Sequence, residues 1–307
     1  MKILVTGGAG FIGSHVADAL IKAGHQIAIV DDLSTGQKEN INKKAKFYKV
    51  DISKYKVLKK VFAAEKPEVI FHLAAQANVR KSVEDPLRDT EVNLIGTLNL
   101  LELGRKYGLK KFIFSSTGGA IYGDRVPRPT PEEAEAAPAS PYGLNKLASE
   151  KFIEYFAKNY GIKAVRLRYA NVFGPRQNPK GAAGVIAIFG SKMLKGEPIK
   201  VYVDGSQTRD YIYVSDVVAA NLAALRSDVS DVYNIGNAKE IPLKQIIDEL
   251  KKLTKTKSKI IFGKSQPGEQ QRSALANGKA RQGLDWEPKV SFREGIWMTI
   301  EYLKRKS

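Results

Sequence analysis

The chain has 307 residues, which at about 150 residues per domain makes roughly two structural units around a substantial core. Its 43% hydrophobic and 27% charged residues exclude disordered, stapled-miniprotein and membrane-spanning classes. Zero cysteines exclude disulfides, zinc thiolates and thiol nucleophiles, and a formal net charge of +18 makes nucleic acid the first partner to weigh.

Short β-rich runs at residues 3–6, 27–30, 47–50, 69–73, 112–114 and 164–168 alternate with helical patterns. Examples of the latter are residues 12–23, stopped by Gly24, and 92–107, stopped by Gly108. Alternation of this kind predicts parallel strands joined by right-handed crossovers. The apolar run at residues 3–5 is too short for the core of a secretory signal, so a cytoplasmic location without membrane association is expected. Residues 125–141 hold five of the thirteen prolines and predict an exposed loop. Beyond residue 175 the pattern loosens into a helix at 185–194, a strand at 199–203 and shorter elements, which predicts a smaller cap. Residues 251–264 carry six lysines and no acid but little aromatic interleaving, the composition of a solvated face, so no nucleic-acid partner is expected. His15, His25 and His72 are too scattered to bind a metal together and are read as structural.

Gly7, Gly10 and Gly13 follow the first strand directly and open the first helix. Glycine there permits a tight turn and lets backbone amides approach a pyrophosphate at a helix N-terminus. The spacing differs by one residue from the Gly-x-Gly-x-x-Gly dinucleotide fingerprint. Asp31 ends the second run, where a carboxylate accepts hydrogen bonds from ribose hydroxyls. Asp32 adds to the repulsion of a 2′-phosphate, so NAD is expected over NADP. Asp51 ends the third run, where spacing alone suits an adenine contact or a surface turn equally well.

Tyr142 and Lys146 stand four apart and share a face if the segment is helical. Tyr55/Lys59, Tyr107/Lys111 and Tyr302/Lys306 have the same spacing; Tyr142 differs in following Pro141 at a helix start and in the company of Ser115-Ser116-Thr117 at a strand end. Bringing a phenol from a pKa of about 10 to about 7 takes about 4 kcal/mol of differential stabilisation, which Lys146 and a positive nicotinamide ring would share. A hydroxyl of Thr117 or Ser116 could share the substrate proton in a short hydrogen bond.

With Thr6-Gly7-Gly8-Ala9-Gly10-Phe11-Ile12-Gly13, the Ser115–Thr117 hydroxyls and Tyr142-Gly143-Leu144-Asn145-Lys146 in this order, the chain resembles the extended short-chain dehydrogenases. Within them it is similar to the NAD-dependent epimerase/dehydratase family, nearest the UDP-glucose 4-epimerases. Asn171-Val172-Phe173-Gly174-Pro175-Arg176 and Gly205-Ser206-Gln207-Thr208-Arg209-Asp210-Tyr211 match further. The resemblance implies an α/β fold: a Rossmann-type doubly wound parallel sheet, NAD-binding over residues 1–175, with a smaller α/β C-terminal substrate-binding cap. The cap would span mainly residues 176–307, with room for the chain to cross back.

By the same resemblance Gly7, Gly10, Phe11, Ile12, Gly13, Asp31, Asp32, Leu33, Ser34, Thr35 and Gly36 would touch NAD. Asp51, Ile52, Leu73, Ala74, Ala75, Gln76, Asn93, Ser115, Tyr142, Lys146, Tyr169 and Val172 would complete the cofactor set. Thr117, Tyr142, Asn171, Gly184, Val185, Val201, Tyr202, Arg209, Glu269 and Arg272 would meet a UDP-sugar. The family's Arg-x-Gly-Asp/Glu stretch reads Gln266-Pro267-Gly268-Glu269 here, so one diphosphate contact is missing and Arg272 is a candidate replacement. Gly118 and Gly119 stand where related dehydratases and decarboxylases carry acids, and a cysteine-dependent reductive epimerase is excluded, which leaves oxidation and re-reduction at C4. Ser273 lies where the family gates the space beside C2, so UDP-galactose/UDP-glucose comes first, with UDP-N-acetylhexosamine and UDP-uronate as alternatives. A non-catalytic NAD-binding sensor is the alternative from another class. Helices at 92–107 and 142–159 would form a homodimer seam through Leu94, Leu98, Phe152 and Phe156, residues that an intrachain core explains equally well.

Overall fold

The computed structural model describes residues 1–180, 184–202, 205–263 and 271–306, with Tyr202 described by its backbone alone. The six β-rich runs form strands β1 (Lys2–Thr6), β2 (Gln26–Asp31), β3 (Lys46–Lys49), β4 (Val69–His72), β5 (Lys111–Thr117) and β6 (Lys163–Tyr169). Helices α1 (Phe11–Lys22), α2 (Tyr55–Glu65), α3 (Val79–Glu84), α4 (Pro86–Thr90), α5 (Gly96–Lys106), α6 (Gly118–Ile121) and α7 (Pro141–Tyr160) lie between them. The second half contributes β7 (Asn171–Phe173), α8 (Val185–Leu194), β8 (Ile199–Tyr202), β9 (Thr208–Arg209), β10 (Tyr211–Tyr213), α9 (Val214–Arg226) and β11 (Asp231–Ile235). It continues through β12 (Ile241–Pro242), α10 (Leu243–Thr254), β13 (Ile260–Gly263), α11 (Gly278–Leu284) and α12 (Phe292–Lys306).

The main sheet runs β11-β6-β5-β4-β1-β2-β3, and every neighbouring pair is parallel. Strand order reverses between β1 and β4, so a crevice opens at the carboxyl ends of these strands, where doubly wound sheets bind ligands. Period-two alternation sends Ile3, Val5, Phe71 and Ile113 to one face and Leu4, Ile70, Phe112 and Phe114 to the other. α1 packs against α9, and α2 and α7 each pack against α5. A third core, with Phe173, Ile186, Ile246 and Ile300, belongs to the cap. Each such fully buried side chain contributes about 1.5–3 kcal/mol.

Local chemistry sets the helix that carries the reacting side chains. Ser140 caps α7 by accepting from the Gly143 amide at 3.2 Å, Pro141 supplies a preset first residue, and Gly161 ends the helix at φ +68°.

Three features depart from the pattern read in the sequence. The 92–107 helix is broken into a π-helical turn over Glu91–Ile95 followed by α5. β5 continues through the polar Ser115–Thr117, which apolar periodicity does not mark. β11 adds a strand from beyond residue 175 to the main sheet, so the two halves are not separated by one cut. Strand 199–203 is described only to residue 202.

Residues 125–140 form turns and bends with one β-bridge, Thr130 to Leu275. His72 is buried between the hydroxyls of Thr6 (2.7 Å) and Thr97 (2.9 Å), and the His15 Nε2 lies 3.0 Å from the Pro175 carbonyl. Among the described residues no His/Cys/Asp/Glu group could hold a metal ion, and no helix is long and apolar enough to cross a membrane.

Candidate active site

β1 runs into Gly7, whose φ of +71° is the left-handed conformation that glycine adopts freely. A Cβ on Gly7 would lie 2.6 Å from the Ala74 nitrogen, and one on Gly13 would lie 2.1 Å from the Gly7 carbonyl oxygen. The turn therefore closes only with glycine at both positions. α1 opens on Gly10 without a side-chain cap, so its first amides keep donor capacity for an anion. Phe11 and Ile12 are half-buried at this end of α1, and Phe11 also packs on the cap core.

Asp31, at the end of β2, accepts from the Ala9 amide at 3.0 Å and the Leu33 amide at 2.9 Å. Burial pushes its pKa up while those two hydrogen bonds pull the other way. A carboxylate has further lone pairs to offer ribose hydroxyls. Asp32 accepts from the Ser34 amide (2.9 Å) and hydroxyl (2.6 Å), which keeps a second negative charge beside Asp31. This donor and acceptor set fits NAD: uncapped amides would suit a pyrophosphate, and paired carboxylates would oppose a 2′-phosphate. Asp51 is engaged by Arg88 at 2.8 Å and by the Ser53 amide at 2.8 Å, and Ile52 is buried beside Gly96. Leu73 and Ala74 donate their amides to Thr6, and Gln76 is clasped by Asn93 through bonds of 3.0 and 2.9 Å.

Tyr142 sits in the first turn of α7, half-buried, with the Thr117 hydroxyl hydrogen-bonded to its phenol. Lys146, one turn further and buried, donates to the Ser115 carbonyl at 2.9 Å and lies 4.6 Å from the centre of the Phe114 ring. Burial brings the Lys146 pKa down to about 8, opposed by the charges of Asp89 and Glu150. Burial raises the Tyr142 phenol, the charge of Asp89 adds to this, and the Thr117 bond opposes it. The chain by itself thus holds a neutral phenol, and ionisation needs another positive charge nearby.

Their partners separate the two candidate hydroxyls. Thr117 bonds the Tyr142 phenol, whereas Ser116 is buried and donates to Glu150, two turns further along α7, at 2.5 Å; its hydroxyl is spent there, which corrects its reading as a second catalytic hydroxyl. Glu150 in turn takes a fork from Arg168, with Nη2 at 2.6 Å and Nε at 3.0 Å. Sequence reading missed this buried pair, although Tyr142, Lys146 and Glu150 recur at four-residue intervals on one helix face. Beside Thr117, a Cβ on Gly119 would lie 3.7 Å from Asn171 Oδ1 and 4.0 Å from Thr117 Oγ1, so glycine leaves a methyl-sized space among these groups. Gly118 is instead packed hard against Leu275, with 2.4 Å to an added Cβ.

Other side chains are placed differently from the sequence reading. The Tyr169 ring is in the core, with its hydroxyl bonded to Asn221 at 2.8 Å and to Ser115. Val201 is buried in the cap core. Val172 lines the junction of two cores. Gly184 and Val185 open α8, with Gly184 against the Gln177 amide. Arg209 donates to the carbonyls of Thr208 (2.8 Å) and Gln271 (3.3 Å). Arg272 is not an open cation: its guanidinium forks onto Glu240 at 2.6 and 2.8 Å. Ser273 is buried, with its amide on the Thr208 carbonyl. Glu269 and Gln266 lie outside the described residues, as does the Tyr202 side chain.

Comparison with known proteins extends this geometry. A family model described as the NAD dependent epimerase/dehydratase family matches residues 3–236. The chain is 44% identical, over 99% of both proteins, to a putative UDP-glucose 4-epimerase of Methanocaldococcus jannaschii. It is similar to the crystal structure of UDP-glucose 4-epimerase with UDP-glucose from Thermotoga maritima, at 49% identity and a TM-score of 0.98, covering 100% of this chain and 99% of that one. It also resembles the Thermus thermophilus UDP-glucose 4-epimerase in complex with NAD, at 41% identity and a TM-score of 0.95 over 99% of each chain.

Proposed function

Because the chain belongs to the NAD-dependent epimerase/dehydratase family, we propose that it interconverts UDP-glucose and UDP-galactose by inverting C4 of the hexose through a 4-keto intermediate. One arrangement carries this reading: Thr117, beside the space left by Gly119, is bonded to the Tyr142 phenol, and Lys146 is held on the Ser115 carbonyl one turn further along the same helix. NAD, when bound, supplies the transient oxidation and re-reduction of the C4 carbinol. Its adenosine ribose would be held at Asp31 and its pyrophosphate at the opening of α1.

Tyr142 takes the C4 hydroxyl proton as phenolate and returns it after the sugar has presented its other face. Thr117 holds that proton in line, and Lys146 stabilises the phenolate while its carbonyl contact keeps the ammonium in place. Arg209 and Asn171 would hold the diphosphate and uridine, a guanidinium fork suiting a diphosphate. Gly118 and Gly119 bring no acid or base to the site, in keeping with a reaction that eliminates nothing. Tight contacts to the hexose would favour one face, so the grip belongs on the nucleotide.

Residues 1–175 form the NAD-binding part in this reading and 176–307 mainly the UDP-sugar part, with α9 and β11 crossing back to the first. The working unit is a homodimer in the cytoplasm. Leu144, Phe152 and Tyr155 are exposed on one face of α7, and Ile95 is exposed on the π-helical turn. Of the seam residues read from the sequence, Phe156 and Leu98 pack within the chain. Sedimentation of Phe152→Glu against the parent chain tests the dimer.

The experiment for the activity is incubation of the NAD-loaded protein with UDP-galactose, UDP-N-acetylgalactosamine and UDP-glucuronate separately, following C4 configuration by NMR. Inversion of UDP-galactose is the expected result. Unchanged substrates in all three arms would leave an NAD-binding sensor as the reading.

A further inference from the structure

Asp89, at the fourth position of α4, is completely buried. Its Oδ1 accepts from Gln76 Nε2 at 2.8 Å and Asn93 Nδ2 at 2.9 Å, and its Oδ2 from Asn145 Nδ2 at 2.8 Å. Among the described residues no cation comes within 4 Å of it; the neighbouring Arg88 is tied to Asp51 and Glu91 at 2.8 and 2.9 Å. The three amides come from three separate elements: the segment after β4, the π-helical turn, and the stretch of α7 between Tyr142 and Lys146. A buried carboxylate with amide donors and no cation at contact keeps its field instead of spending it on an adjacent ion pair. The irregular turn is what brings Asn93 into this group, and π-turns of this kind recur at functional sites.

We propose that Asp89 is a positioning residue of the reacting site, a buried anion that sets the charge balance of the Tyr142–Lys146 pair while its amide shell fixes the distance between α7 and the end of β4. The inference rests on the reading of Tyr142 and Lys146 as the reacting pair. The charged and titratable groups around them are few. Tyr142 faces Asp89 from α4 and the Thr117 hydroxyl from β5, with Lys146 one turn further along its own helix. Lys146 faces Asp89, Glu150 from its own helix, the Ser115 carbonyl from β5 and His72 from β4. Glu150 is neutralised by Arg168 from β6, and burial, followed by the Lys146 charge, keeps His72 uncharged. Asp89 is thus the unpaired negative charge that both groups sense.

The sign follows directly. An anion disfavours phenolate and favours ammonium, so removing it lowers the pKa of both groups. In Asp89→Asn the shape is kept, and Asn145 can turn its amide over because Thr90 Oγ1 lies 3.1 Å from one end and 3.4 Å from the other. Both limbs of the kcat–pH profile of the NAD-loaded enzyme are expected to move to lower pH by about one unit. Tyrosinate absorbance of the NAD-loaded protein, with a Tyr142→Phe trace subtracted, should shift by the same amount and direction. Asp89→Glu, which keeps the charge, should retain the parent limbs. If Asp89→Asn does not fold, Asp89→Ser, which leaves room for a water among the three amides, carries the same expectation. Unmoved limbs and an unmoved tyrosinate midpoint, whatever happens to kcat, would reduce Asp89 to a structural group and overturn the proposal. A parent enzyme that inverts no UDP-sugar would fail the functional reading alone, because the tyrosinate titration still reports on Asp89.

Discussion

In the proposed reading the cofactor wall of the crevice is made of backbone. A Cβ on Gly7 would stand 2.6 Å from the Ala74 nitrogen, and Asp31 is held by two main-chain amides. The cap wall is made of long side chains from distant segments: Arg209 on the carbonyls of Thr208 and Gln271, and Arg272 forked onto Glu240. A backbone cradle tolerates no added atom, whereas the exposed Arg272 and the half-buried Arg209 and Glu240 can exchange partners at lower cost. The first is suited to a cofactor that stays, and the second to a substrate that must come, turn and leave.

Substitutions sharpen this contrast in order of expected size. Tyr142→Phe, between the two walls, should lower kcat by about a thousandfold while NAD still binds, as read by NMR turnover and by NAD retention after desalting. Full turnover in that variant would remove Tyr142 from the chemistry. Gly13→Ala should break the cofactor wall, because its Cβ would stand 2.1 Å from the Gly7 carbonyl oxygen. Loss of bound NAD and about 2 kcal/mol of stability in denaturant titration are expected. Arg209→Met should leave NAD binding alone and raise KM for the UDP-sugar about 10- to 100-fold, the worth of a charged hydrogen bond to a diphosphate. Equal loss in NAD affinity would contradict the division between the walls. Glu240→Gln releases the exposed Arg272, and KM should change by no more than about threefold. A large improvement in KM would identify Arg272 as the cation that replaces the one absent at Gln266.

Legibility followed the range of the interactions involved. The six strands of the first half, the glycine turn and the α7 start with Ser140 and Pro141 are local patterns, and each can be read in a few consecutive residues. β5 ran three residues further than its apolar run because Ser115, Ser116 and Thr117 stay paired with β6, and the buried Ser116 hydroxyl finds Glu150, a partner 34 positions away. The choice between Ser116 and Thr117 was equally hidden. Both are hydroxyls at one strand end, and only the folded chain shows that Glu150 takes Ser116 and leaves Thr117 to Tyr142. Arg272 looked available because its partner Glu240 is 32 residues distant. Asp89 gave no signal at all, being one acid in a charged stretch until three amides from separate elements close over it.

By itself the sequence determined the alternation of strand and helix, the anion-binding turn with its carboxylates, and the tyrosine–lysine spacing on one helix face, since each depends on steric and hydrogen-bonding rules that act over a few residues. Only the tertiary structure decided which hydroxyl joins the phenol, which cations are already spent, and which carboxylate is buried within electrostatic reach of the reacting pair. Those outcomes depend on burial and on partners brought from far along the chain, and desolvation, the quantity that moves a pKa or commits a salt bridge, exists only once the chain has folded.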